Sequence, residues 1–155
     1  MAKLSWGKPT IEHGTSAAGA VASSFTAITL DIVEKSAELT VTEGEVLEAK
    51  DEGGDVVDSR VGKNAYVFAF EVYVKKGDTL PFTDDDGVIS GEHSIRLTGE
   101  DNATPGFLMP VCRVSAQITW KSDIGKKVKY TCRGLKPASG KILQDYAVQP
   151  SNSTT

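Results

Sequence analysis

Val114, Ala116, Ile118 and Trp120 alternate with Arg113, Ser115, Gln117 and Thr119; beyond Ser122-Asp123-Ile124-Gly125, Val128, Tyr130 and Cys132 alternate with Lys127, Lys129, Thr131 and Arg133. A period of two puts successive side chains on opposite faces of a strand, so two such runs around a glycine-bearing turn make a hairpin. One face is apolar and core-facing, and the other is polar and basic. With the turn near Asp123, Val114 opposes Cys132, and Cys112 lies one pair further along, diagonal to Cys132. That spacing predicts two unbridged thiols.

The same period recurs upstream. Tyr66–Val74 (YVFAFEVYV) is apolar on both faces apart from Glu71 and reads as a central strand. Thr26, Ile28, Leu30 and Ile32 alternate with Ala27, Thr29 and Asp31, which predicts a half-buried strand, and His93–Thr98 predicts another. Glu45–Lys50 and Val56–Val61 flank Asp51-Glu52-Gly53-Gly54-Asp55, a second hairpin. Centred near Gly54, it would set Lys50 against Asp58 and Glu48 against Arg60 on one charged face.

No segment has a long helical period; only Ala17–Ala22 and the Gly77–Asp86 loop would accept a short helix. The expected fold is mainly β, an antiparallel β-sandwich or partly closed β-barrel with at most one short helix. Residues 1–24, rich in Gly, Ala, Ser and Thr, read as an N-terminal arm, 25–148 as the β domain, and 149–155 as a flexible C-terminal tail.

At 155 residues, 39% hydrophobic and 25% charged, the chain has the size and composition of one globular domain. Its formal charge of −4 excludes a general polyphosphate-binding surface while leaving room for a local basic strip. The apolar runs fall far short of the ~20 residues a membrane helix needs, and no apolar segment follows Lys3 as a leader would require. We therefore expect no membrane insertion and synthesis in the cytoplasm.

A search for chemistry finds little. His13 and His93 are the only histidines, and pairing either with Cys112 lacks a third, orienting residue. Asp84, Asp86, Gly87 and Ile89 match positions 3, 5, 6 and 8 of a calcium loop, but Phe82 and His93 would fall at positions 1 and 12, where that loop needs oxygen ligands. The expectation is a non-enzymatic protein without cofactor or metal. Lys127, Lys129 and Arg133, supported by Arg113 and Lys121, form a basic face suited to an acidic partner, which the acidic segments at Glu43–Glu52 and Asp84–Asp86 of another copy could supply.

Taken in order, S-W-G-K-P-T-I-E near the N-terminus, E-A-K-D-E-G-G-D-V-V-D, Y-V-F-A-F-E-V-Y-V, D-G-V-I-S-G-E-H-S-I-R-L and the last hairpin running into G-L-K-P-A-S-G-K resemble the tail tube (major tail) proteins of long-tailed bacteriophages. That family is related in fold to the ring-forming haemolysin-coregulated protein of type VI secretion. The resemblance implies a homo-oligomer of hexameric rings, stacked into a tube in a virion tail or phage-derived device. DNA would pass through the lumen without sequence-specific binding, and other tail proteins would be further partners. Candidate self-assembly contacts are then Trp6 on the arm, Glu48, Lys50, Asp58 and Arg60 on the acidic hairpin, and Lys127, Lys129 and Arg133 on the basic face. The rival expectation is a monomeric β-sandwich module binding carbohydrate or another surface ligand, with Trp120 or Tyr130 as a stacking platform. The alternation argues against it by placing both rings on the core face.

Overall fold

The computed structural model describes residues 8–99 and 105–146. Its strands are β1 (Thr10–Thr15), β2 (Thr26–Ala27), β3 (Glu38–Thr42), β4 (Val46–Lys50), β5 (Val56–Val61), β6 (Ala65–Tyr73), β7 (Asp84–Asp85), β8 (Val88–Ile89), β9 (His93–Thr98), β10 (Gly106–Lys121), β11 (Gly125–Gly134) and β12 (Gln144–Tyr146). All pairing is antiparallel, and no helix occurs among the described residues. The large sheet runs β2-β1-β9-β10-β11-β6-β3, with β12 and the small β7–β8 hairpin also on β10. It is not closed into a barrel, and the architecture is the expected mainly β, sandwich-like one.

Alternation decides which faces meet. Phe68, Phe70 and Val72 of β6, Val128, Tyr130 and Cys132 of β11, and Cys112, Val114 and Ala116 of β10 are buried together with Ile11 and Ile95. Phe68 packs against Phe70 and Phe107 at centroid distances of 5.5 and 5.0 Å, and Tyr130 against Phe70 and Phe82 at 5.5 and 5.3 Å. These tilted rings account for much of the apolar area the core removes from water.

The register of the last hairpin is the one its sequence predicts: Val114 pairs with Cys132 and Cys112 with Gly134. Both cysteines are buried free thiols, and donation of a hydrogen bond by Cys132 to Cys112, together with burial, pushes the Cys132 thiol up. Near the middle of β10, Pro110 has no N–H to give a ladder, and the pairing with β9 shifts between Met109 and Cys112. Buried Ser94 serves this break, donating to the Pro110 carbonyl at 2.6 Å and accepting from the Ala22 amide at 2.9 Å.

Two expectations need correction. Residues 1–24 are not an arm throughout, because Thr10–Thr15 is β1, paired along its whole length with β9, and Ile11 is buried. Its three-residue run of half-buried polar positions hid this strand. The run from Thr26 to Ile32 is not one strand. Thr26–Ala27 pairs with β1 while Ile32 bridges to Val72 of β6, so the segment crosses between the two sides of the open sheet. Ile28, Leu30 and Ile32 still turn inward, as their period implies. The Ala17–Ala22 tract is a tight hairpin turn, with Ala17 bridged to Ala20 and both Ala18 and Gly19 at positive φ.

Candidate assembly surface

Two ribbons leave the body of the sheet. The first starts from β3 and β6, which pair from Glu38↔Ala69 to Thr42↔Ala65. Four residues further on each strand the pairing resumes without slip at Val46↔Val61. β4 and β5 are thus the outward continuation of β3 and β6, yet they bond to no other strand. The interruption is at Gly44, where an added Cβ would collide with the Gly62 carbonyl and lie 2.7 Å from that of Lys63. Backbones this close leave no room for a side chain, so glycine is required at the base of the ribbon.

Every residue of β4 and β5 is exposed, on both faces. Leu47 is 56% exposed and Val57 64%, and Val46, Val56 and Val61 are exposed with them. An isolated two-stranded ribbon is marginal in water, and one bearing five exposed aliphatic residues has apolar area still to bury. Residues 45–61 hold six acids and two bases, so this segment alone accounts for the chain's net charge of −4.

The register within the ribbon differs from the expected one. Asp51 and Asp55 close the turn through backbone bonds, Gly54 takes a φ of 85°, and a bulge then places one extra residue between Val56 and Asp58. Glu48 pairs with Ser59 and Arg60 with Leu47. Glu48 and Lys50 therefore share one face and Asp58 and Arg60 the other, and the predicted cross-strand charge pairs are not made.

The second ribbon is the tip of β10–β11. The last bond between β10 and the β7–β8 turn is from the Ala116 amide to the Gly87 carbonyl; beyond it only β11 flanks β10. Ile118 and Trp120 continue the face of buried Ala116, but nothing covers them, and Trp120 is 69% exposed. The core-face expectation holds for Tyr130, which is 1% exposed, and fails for Trp120. Lys126 pairs with Trp120, and Lys121 pairs with Gly125 across the turn.

Lys127, Lys129 and Arg133 share the outer face of β11, as their spacing predicts. Lys129 pairs in register with Glu71, yet none of the three has a carboxylate within 4.0 Å among the described residues. Beside them runs a polar groove of about 580 Å³, lined by Glu38, Thr40, Glu71, Gln117, Lys129 and Arg133 among others. A larger, mostly apolar cleft of about 940 Å³ includes Ile32, Leu39, Leu97, Phe107 and Leu143, with Lys8, Gly99 and Pro105 on its wall. Trp6 lies outside the described residues.

The remaining chemical candidates resolve into structural roles. Asp84–Asp85 and Val88–Ile89 pair as a tiny hairpin turned by Asp86 and Gly87 at φ 51° and 88°. The Asp-Gly dipeptide, a strong signal for such a turn, was the part of the calcium-like pattern to read. Among the described residues no three metal-ligating side chains converge. His93 sits opposite Cys112 in register, but its Nε2 bonds the Ser90 carbonyl at 3.0 Å while the Cys112 thiol bonds Cys132. His13 stacks on Phe82 at 4.6 Å, and burial, then the charge of His93, lowers its pKa. Among the described residues no helix is long and apolar enough to cross a membrane. No protein-family model matches this chain, and no curated protein matches it.

Proposed function

We propose that this protein is a non-enzymatic structural subunit that assembles with copies of itself into rings, stacked as a tube of the phage-tail kind. The observation that carries the reading is the β4–β5 ribbon, which has an ordered register, is aliphatic on both faces, and pairs with no other strand. Such a ribbon is stable where a neighbour covers it. The ring, the tube and a location in a virion tail or phage-derived device are taken into this reading from the sequence resemblance to tail tube proteins. A net acidic subunit suits a channel through which DNA moves without being held.

Light scattering of the purified protein across a concentration series, followed by negative-stain microscopy of the most concentrated sample, tests this. Rings or tubes are the expected result, and a strict monomer at every concentration overturns it.

The exposure of Trp120 favours a second reading, a carbohydrate-binding module with that indole as platform. Saturable binding of oligosaccharides that is lost in Trp120→Ala, by a protein that stays monomeric, would establish it in place of the first.

A further inference from the structure

The two ribbons are complementary in kind. Of the eleven large hydrophobic side chains exposed among the described residues, five are on β4–β5, and Ile118, Trp120 and Ile124 are at the tip of β10–β11. The charges around them are opposite: residues 45–61 hold six acids against two bases, whereas residues 117–129 hold Lys121, Lys126, Lys127 and Lys129 against Asp123 alone. Like ribbons would repel each other, acid against acid or lysine against lysine. Unlike ribbons match in both apolar area and sign.

We propose that the acidic β4–β5 ribbon of one copy docks on the basic tip of β10–β11 of the next, with Trp120 as the central anchor. This rests on the self-assembly reading and names the surfaces that carry it. The anchor has the character that dominates interfaces: a large indole, exposed at the end of β10 beside β11, ringed by charges that remain at the rim. Val46 and Val61 of the partner ribbon, paired in register and on one face with Glu48, supply the aliphatic surface for it, and Glu48 reaches Lys126, which is paired with Trp120. Because donor and acceptor are different parts of the chain, the contact is head to tail. Each copy offers one of each, so the contact repeats and closes into a ring if its rotation permits.

The test uses two variants of the full chain, a tip variant (Ile118→Ser, Trp120→Ala, Lys126→Ser) and a ribbon variant (Val46→Ser, Glu48→Gln, Val61→Ser). All six positions are on the projecting ribbons, and unchanged melting of each dilute variant confirms the fold. Sedimentation should show wild-type association that weakens with added salt and is at least tenfold weaker in either variant alone. An equimolar mixture should give a one-to-one complex and nothing larger, since the ribbon of the tip variant still fits the tip of the ribbon variant. If either variant assembles like wild type, or if the mixture forms no complex, the ribbon-to-tip contact is wrong while self-assembly stands. A wild-type chain that never associates overturns both.

Discussion

The β10–β11 hairpin and the β4–β5 ribbon are built on a two-residue period and an antiparallel ladder, yet the first reaches the middle of the core and the second buries nothing. Within β10 the contrast is sharper still. Cys112, Val114 and Ala116 are buried, while Ile118 and Trp120, on the same face of the same strand, stand in water. Alternation sorts side chains by face; what covers the face decides whether they are buried. The β7–β8 turn accompanies β10 only as far as Ala116.

The comparison predicts unequal costs for aromatic residues on one face. Tyr130→Ala should destabilise the monomer by about 3–5 kcal/mol in urea unfolding, the range for deleting a large buried ring. An intermediate cost belongs to the ribbon's base: Gly44→Ala should cost about 1–3 kcal/mol through the collision with the Gly62 carbonyl. Hydrogen exchange should locate that loss in residues 45–61 and leave the amides around Phe68 protected.

Tyr130→Phe should have the opposite sign. The Tyr130 hydroxyl is buried with no hydrogen-bond partner, and burial, then Asp84, pushes its pKa up to about 12. Removing it should leave stability unchanged or raise it by about 1 kcal/mol, and a clear loss would mean the hydroxyl has a partner.

Acid should loosen the core side of the comparison. Burial and His93 hold the His13 pKa below its ordinary 6.5, so between that value and the lowered one the unfolded chain binds a proton the folded chain resists. Stability from this group is complete above pH 6.5 and is lost as pH falls through the folded value. Melting midpoints should decline over that interval for the wild type and less for His13→Gln. The smallest effect is expected at the tip, where Trp120→Ala should change monomer stability by no more than about 0.5 kcal/mol. A change approaching that of Tyr130→Ala would show the indole packed on its own chain.

How much could be read in advance follows the range of the forces involved. The antiparallel β class, the pairing of Val114 with Cys132, and the basic row Lys127, Lys129 and Arg133 are consequences of a local period, and the chain alone determined them. β1 escaped because its polar run Glu12-His13-Gly14 is only half buried, a pattern without contrast. The charge pairs on the ribbon failed because the turn is centred on Gly53 rather than Gly54, which moves every partner by two places, and the bulge restores only one of them; the energy that selects turn and bulge lies in backbone geometry rather than in hydrophobicity. The exposure of Trp120 and of the whole β4–β5 ribbon depended on where other strands stop. That is a property of packed layers, and only the tertiary structure could decide it.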